Sequence, residues 1–184
     1  MLSRSGPELR TARLRLRRWR EEDREPFAKL NADAEVMRHF PGTLSRAESD
    51  AMAQRIEAHF EQHGFGLWAL EVTGGPHFIG YTGLAHPGFD APFMPRVEIG
   101  WRLAREHWGQ GYASEAARCA LGFAFQELNL PEIVSFTVPA NVRSWKVMER
   151  LGMTHDPRDD FDHPRLPEGH PLRRHVLYRI SRPQ

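Results

Sequence analysis

The chain has 184 residues, of which 40% are hydrophobic and 27% charged, a composition typical of a globular protein. Its 25 basic and 24 acidic residues leave a net charge of +1, so neither nucleic acid nor an anionic membrane is indicated as a partner. Cys119 is the single cysteine, which excludes an internal disulfide and a cysteine-based metal cluster. The sequence has no signal-peptide pattern and no apolar run of about 20 residues, and we therefore expect a cytoplasmic protein with one domain over residues 1–184.

The first predicted elements are a strand and a helix. Residues 13–17 read Arg-Leu-Arg-Leu-Arg, and this alternation predicts a strand whose leucines face the core and whose arginines face solvent. Acidic residues at 21–23 favour the first turn of a helix that buries Phe27 and Leu30.

A second helix is predicted to begin after Ser45 and to end at Gly64. Ser45 and Glu48 have the spacing of a capping box, and a glycine suits the left-handed position that closes a helix. The apolar stripe of this helix consists of Met52, Ile56 and Phe60.

Three strands are predicted next, the last of them with an internal glycine. The segments are 66–72, 78–84 and 97–103, with a hairpin connection at 73–76 and a loop at 86–95. Gly100 lies inside the third strand, and it predicts either a bulge or a place where a ligand approaches the backbone closely.

The remainder of the chain predicts a helix, a strand, a second helix and a last strand. Small apolar residues line one face of the helix predicted at 113–128, which lets it lie close to a sheet. Asn141 is placed to cap a short helix that Gly152 closes. The strands are predicted at 133–138 and 174–180. Together the elements predict a mixed α/β fold in which helices cover both faces of one sheet.

A glycine-rich turn, with the sequence Trp108-Gly109-Gln110-Gly111-Tyr112-Ala113, connects the third of these strands to the long helix. Its glycines allow backbone N–H groups to converge, and the helix N-terminus adds free donors and a positive dipole end. These features predict an anion site, most simply for phosphate. The Lys-Ser/Thr of a nucleotide P-loop and the three-glycine dinucleotide pattern are both missing. A turn without a ligand remains the alternative.

Two motifs in the right order give the sequence a family resemblance. Residues 109–116 read Gly-Gln-Gly-Tyr-Ala-Ser-Glu-Ala, and residues 141–153 read Asn-x-x-Ser-x-x-x-Met-Glu-x-Leu-Gly-Met. They resemble the GNAT acetyltransferase superfamily, and the opening Leu-Arg-Thr-Ala-Arg-Leu-x-Leu-Arg is similar to its ribosomal-protein N-terminal (alanine/serine) acetyltransferases. The resemblance implies an α/β (α+β) fold with a mostly antiparallel sheet of about six to seven strands and about four helices.

The resemblance also implies how acetyl-CoA is held. In the family the strand before the phosphate turn splays from the next strand, and the pantetheine arm bonds to its exposed backbone, here Trp101, Arg102 and Leu103. The pyrophosphate is implied to bind at Trp108, Gly109, Gln110, Gly111, Tyr112, Ala113 and Ser114. Trp108 stands where the family has Arg or Gln, which puts a side-chain role there in doubt. Asn141 is implied to contact the arm, with a simple helix cap as the alternative.

The implied reaction is direct transfer of an acetyl group to a primary amine in a ternary complex. Glu98 is the candidate base, and its alternative is an ion-paired surface carboxylate. Ser144 is the candidate acid for the departing thiolate, and its alternative is an ordinary first-turn serine. Glu115 belongs to the first helical turn, where the dipole stabilises an acid in any case, and we do not expect it to be the base.

No metal is expected. His59 and His63 are one helical turn apart, but the sequence offers no evident third ligand nearby. The histidines of the tail, His163, His170 and His175, are expected to border the acceptor cleft.

The acceptor is expected to be a protein N-terminal α-amine or a small-molecule amine, and a homodimer is plausible for the family. An alternative function is an acyl-CoA-binding or sensor domain of the same fold that lacks a working acid and base. The two functions differ in whether Glu98 and Ser144 face the thioester.

Overall fold

The structure, a computed structural model, describes residues 6–183, in which one mixed sheet carries four α-helices. The strands are β1 (Leu9–Arg10), β2 (Leu14–Arg17), β3 (Leu67–Val72), β4 (Gly80–Ala85), β5 (Val97–Leu103), β6 (Glu132–Thr137), β7 (Thr154–His155), β8 (Phe161–Asp162) and β9 (Arg174–Ser181). The helices are α1 (Arg24–Ala32), α2 (Arg46–His63), α3 (Tyr112–Gln126) and α4 (Val142–Arg150).

The sheet order is β1-β2-β3-β4-β5-β6-β9-β7, and β8 pairs with β9. Every pairing is antiparallel except that of β5 with β6. The predicted α/β class, four helices and mostly antiparallel sheet are confirmed. The described part of the chain has nine strands instead of six to seven, because β1, β7 and β8 are two-residue strands that alternation cannot reveal.

The caps of α2 are those that the sequence predicts. The Ser45 side chain accepts a hydrogen bond from the Glu48 backbone N–H, and the Glu48 carboxylate accepts one from the Ser45 N–H at 2.7 Å. Gly64 closes the helix with a φ of +75°. Ile56 and Phe60 are buried and Met52 is partly buried against the same core, so the predicted apolar stripe is confirmed.

Helix α3 packs on β4 and β5 through alanines with no exposed surface. The four are Ala116, Ala117, Ala120 and Ala124. Cys119 is partly buried beside this stripe, and burial raises the pKa of its thiol. A protonated, packed thiol suits a small core residue and not a nucleophile. None of the helices within residues 6–183 is long and apolar enough to span a bilayer.

Strand β2 departs from the prediction at Arg17. Leu14 and Leu16 are buried as expected, but Arg17 is only 2% exposed instead of facing solvent. Its guanidinium forms two bonds to Asp23, at 2.7 and 2.9 Å, and a third to Glu71 at 2.7 Å. Asp23 is fully buried. The prediction was wrong because alternation reports the pleat of a strand and cannot register two carboxylates brought in from elsewhere.

This buried pair gives a test of the fold. We expect Asp23→Ala to lower the free energy of unfolding by about 3–5 kcal/mol, because it leaves a buried guanidinium short of its closest counter-charge. The matched control is Glu25→Ala, which removes only exposed ion pairs, with Lys29 and Arg46, and should leave the free energy of unfolding nearly unchanged. Urea unfolding of both variants measures the difference, and equal losses would contradict a structural role for the Arg17 pair.

Candidate active site

The main feature of the site is a gap between β5 and β6. The two strands pair at Val97–Ile133 and Glu98–Val134 and then separate. Ser135 covers the first step of the gap, since its hydroxyl donates to the Ile99 carbonyl at 2.8 Å. On the other edge of β5 the register with β4 runs without interruption. The bulge predicted at Gly100 is therefore absent, and the opening comes from lost pairing with β6.

One residue of β5 presents its backbone to this gap. Backbone groups alternate between the two edges of a strand, and the Ile99 carbonyl faces β6, so those of Trp101 face the same edge. The Leu103 carbonyl already accepts a bond of 2.8 Å from the Trp108 indole. The Arg102 carbonyl lies against Gly80 of β4. Of the three backbone positions that the resemblance implies for pantetheine, the geometry favours Trp101.

The glycine-rich turn leads directly into α3. Gly109 and Gly111 have φ values of +74° and +82°, which disfavour any other residue. Gly111 occupies the cap position of α3 and offers no side chain to its first N–H groups. Those donors are left for a ligand, as an anion site requires.

The connection between β1 and β2 secures this turn from outside, through contacts that local sequence patterns do not reveal. Arg13 donates to the Gln110 carbonyl at 3.0 Å and to the Glu115 carboxylate at 2.7 Å. Thr11 adds a bond to Glu115. Burial alone would raise the pKa of Glu115, but the bonds from Thr11 and Arg13 lower it overall. Glu115 is therefore an ionised carboxylate that anchors the turn. This agrees with the expectation that it does not act as the base.

A cleft of about 1650 Å³ contains the gap and the turn. Twelve predicted site residues line it, namely Glu98, Trp101, Arg102, Leu103, Trp108, Gly109, Gly111, Tyr112, Ala113, Ser114, Asn141 and Ser144. Gln110 does not line it, and its amide instead donates to the Glu106 carbonyl at 3.1 Å. The structure thus brings together two motifs that lie thirty residues apart in sequence.

Basic residues around the turn were missed by the sequence analysis. Those that line the cleft are Arg105, His107, Arg143, Lys146 and Arg150. The Arg143 guanidinium lies 4.5 Å above the Trp108 ring, which gives that tryptophan a role as a platform for a cation. Three of the five belong to α4, where their spacing of three or four residues was an available signal of one charged face.

Glu98 lies in the cleft without a counter-charge. Burial raises the pKa of its carboxyl to about 8. Among residues 6–183, none forms an ion pair or hydrogen bond with this carboxyl. The ion-paired alternative therefore does not match the structure. Its negative charge also contributes to the raised pKa of Tyr81, whose main cause is burial in the same cleft wall.

Arg102 adds a buried positive charge to the cleft. The residue is 8% exposed, and its guanidinium donates to the Asn31 side chain at 2.6 Å. Its other neighbours are the Met52 sulfur at 3.9 Å, the Phe40 ring at 4.1 Å and the Tyr81 ring at 5.5 Å. No carboxylate in the described part of the chain pairs with it, and its Nε has no partner there. This side chain, on the α1–α2 side of the sheet, was expected only to contribute its backbone.

The start of α4 holds the second motif. Asn141 stands at the cap position, but its side chain does not cap the helix and instead donates to the Thr137 hydroxyl at 2.9 Å. Asn141 is therefore the N-cap residue by position, as predicted, but the side-chain hydrogen bond of a cap is absent. The Ser144 N–H donates to the Asn141 carbonyl at 3.0 Å, as in an ordinary first turn. The Ser144 hydroxyl has no partner within residues 6–183 and faces the cleft.

The histidines divide between two places. His163 and His175 line the cleft, with ring centroids 5.1 Å apart, whereas His170 bonds to the backbone of its own loop and does not. Two of the three tail histidines therefore line the cleft, as expected. His59 and His63 do have a third neighbour, His86, which the sequence analysis missed because it lies 27 residues away.

Comparison with known proteins agrees with this geometry. Residues 13–154 match the acetyltransferase (GNAT) domain family. The FsC-acetyl coenzyme A-N(2)-transacetylase of Aspergillus fumigatus is 35% identical over 162 residues, which cover 84% of this chain and 68% of that protein. The crystal structure of an acetyltransferase from Agrobacterium tumefaciens superposes with a TM-score of 0.76 at 31% identity, covering 95% of this chain and 94% of that one.

The chain therefore belongs to the GNAT family and is an N-acetyltransferase. Members of this family use acetyl-CoA as the acetyl donor. The predicted similarity to ribosomal-protein acetyltransferases is also found. The Vibrio fischeri ribosomal-protein-S5-alanine acetyltransferase superposes with a TM-score of 0.74 at 17% identity, covering 96% of this chain and 97% of that one. At this identity the match establishes the shared fold alone.

The turn gives a test of cofactor binding. We expect Gly111→Val to lower acetyl-CoA affinity at least about tenfold, because a side chain there obstructs approach to the N–H groups of α3. The control is Gly74→Val in the β3–β4 hairpin, outside the cleft, where φ is +72° and a valine meets comparable strain of about 1–3 kcal/mol. Calorimetric titration measures both, and equal affinities would make the turn a structural feature only.

Proposed function

We propose that the protein transfers an acetyl group directly from acetyl-CoA to a primary amine, with Glu98 as the general base. The observation that supports this most is an unpaired carboxyl, with a pKa of about 8, in the cleft that also holds the phosphate-binding turn. A general base works best when its pKa lies near the working pH. An ion-paired glutamate would have a lower pKa and would accept a proton less readily.

The cofactor would be held at three points along the cleft. The N–H groups of α3 and the basic residues of α4 suit its phosphates, and the free backbone of Trp101 suits the amides of its pantetheine arm. Asn141 stands at the start of α4 beside the gap, although its amide is engaged with Thr137. These contacts direct the thioester towards the side of the sheet that carries Glu98.

The chemical step then needs two proton transfers. Glu98 takes a proton from the acceptor amine, directly or through one water, as the amine nitrogen bonds to the thioester carbonyl carbon. The carbon–sulfur bond breaks, and the Ser144 hydroxyl, which no described residue engages, donates a proton to the departing sulfur. The proton that Glu98 has taken then returns to Ser144 through solvent, which restores both groups for the next turnover. The products are an N-acetyl amine and the free thiol, and no covalent enzyme intermediate is required.

The acceptor in this proposal carries an α-amine. An α-amino group has a pKa of about 7.7–8.0 and a lysine side chain about 10.4. The pKa of Glu98, about 8, matches that of an α-amino group and lies below that of a lysine side chain. The buried charge of Arg102 further disfavours cationic acceptors and suits those with an oxygen close to the amine. The names of two similar proteins, which mention N(2) and alanine, point the same way.

The proposal gives a pH-dependent prediction for Glu98. In the wild type two deprotonations near pH 8, of Glu98 and of the acceptor α-amine, make kcat/KM rise with pH, with a slope of about 2 on a logarithmic plot at low pH. We expect Glu98→Gln to lower kcat/KM at least about 100-fold and to reduce this slope to about 1, because only the amine still loses a proton. Glu98→Asp keeps the wild-type slope with a lower maximum. Glu127→Gln, an exposed glutamate at the end of α3, is the matched control and retains wild-type kinetics.

The stability of the same variant provides a second readout. Folded Glu98 keeps its proton up to about pH 8, whereas the unfolded chain loses it near the ordinary value of 4.5. The folded state therefore binds more protons between these values, and the wild type loses stability as the pH rises from about 4.5 to 8. Glu98→Gln should not show this part of the pH-dependent loss of stability. If the wild type and Glu98→Gln unfold with the same pH dependence, the pKa of Glu98 is not raised, and the proposal that Glu98 is the base fails.

An acceptor panel tests the class of substrate. Free CoA release is measured at pH 7.5 with amino acids, short peptides with free N-termini, N-acetylated peptides that keep a lysine, and cationic diamines. We expect turnover with α-amines at least about tenfold above that with lysine side chains, given the difference of about 2.5 pKa units. Acetyl-CoA binding without turnover on any amine would support a sensor domain instead.

A further inference from the structure

Three histidines meet where the C-terminal end of α2 lies beside the end of β4. His59 and His63 are one turn apart on α2, and His86 follows the last residue of β4. One nitrogen from each ring lies within 4.8 Å of the others. The His63 ring centroid is 4.4 Å from that of His59 and 4.5 Å from that of His86. None of the three lines the acetyl-CoA cleft, so the proposed reaction does not account for them.

The position of one proton in this cluster is determined by its surroundings. His59 Nδ1 lies 2.8 Å from the Phe65 carbonyl oxygen, which can only accept, so Nδ1 carries the hydrogen. The lone pair of His59 is then on Nε2, where it accepts a hydrogen bond of 3.2 Å from the His86 backbone N–H, with the His86 Nδ1 at 3.4 Å. A metal ion bound at Nε2 would replace this hydrogen bond. Histidines that bind metal commonly donate their other ring N–H to a backbone carbonyl, and His59 already has this arrangement.

The cluster is accessible from solvent on the side of His86. His86 is exposed, so its ring can rotate towards the other two and an ion can enter from solvent.

We propose that His59, His63 and His86 form a binding site for a divalent transition-metal ion, for which zinc is the best match. Imidazole nitrogens suit zinc, and three histidines with water in the fourth position are an established coordination. Zinc–nitrogen bonds of about 2.0–2.1 Å place tetrahedral ligands about 3.3 Å apart. His59 and His86 are already at this separation, and the remaining pairs close by side-chain rotation.

The ion would act as a structural clamp. It would join the end of α2 to the end of β4, two segments that the chain connects only through β3. Ala85, the residue before His86, lines the cleft and is the register partner of Glu98. A clamp at this point would stabilise the cleft wall opposite the cofactor turn while contributing nothing to the chemical step.

The test uses full-length protein without a histidine tag, freed of metal by a chelator. Calorimetry with zinc should give about one ion per chain with a Kd of about 1 µM or tighter. Cobalt should give the strong visible absorption of a tetrahedral site. His86→Ala should weaken zinc binding by more than the roughly 10–100-fold that loss of an outer partner costs. His77→Ala removes an exposed imidazole outside the cluster and should bind as the wild type does.

Thermal unfolding gives an independent readout. Zinc at about 100 times its Kd should raise the Tm of the wild type by roughly 5–10 °C and leave that of His86→Ala unchanged. His63→Gln serves as a second ligand variant, and acetyl-CoA binding checks that both variants are folded. The proposal is overturned if the wild type binds no stoichiometric zinc, or if both ligand variants bind it with wild-type affinity.

Discussion

The loss of pairing between β5 and β6 after Glu98 is the constraint on which the site depends. Buried backbone N–H and C=O groups must find partners, so two strands that separate inside a sheet need something between them. The Ser135 hydroxyl donates to the Ile99 carbonyl, and the Trp108 indole N–H donates to the Leu103 carbonyl. Trp101 lies between these two protein-made contacts. The protein thereby limits the exposed edge of β5 to a length that one extended ligand can cover.

The glycine-rich turn before α3 is fixed by contacts from a distant part of the chain. Gly111 gives up a side-chain cap, so the first turn of α3 needs support from elsewhere. Arg13, just before β2, supplies it by donating hydrogen bonds to both the Gln110 carbonyl and the Glu115 carboxylate. The turn keeps free donors on one side because its other side is anchored. Binding an anion there therefore requires little reorganisation of the protein.

Local features of the sequence predicted most of the fold. The capping box at Ser45, the closing Gly64 and the Val97–Leu103 strand all appear where the pattern predicts them, because their causes lie within a few residues. The sequence did not predict the roles of residues whose partners lie far away along the chain. Arg13 is bound to Glu115, 102 residues away, and Arg102 to Asn31, 71 residues away. No periodicity encodes such contacts, so their discovery needs the folded chain.

The spacing of two ionisable residues on β5 suits the role of general base that we propose for Glu98. Glu98 and Arg102 share a face of the strand, and four residues of extended chain separate them by about 13 Å. A guanidinium in contact would lower the pKa of the carboxyl and remove its basicity. Asn31, a neutral partner, instead holds Arg102 against α1. The cleft can thus present a positive charge to the acceptor while burial alone sets the pKa of Glu98 near that of an α-amine.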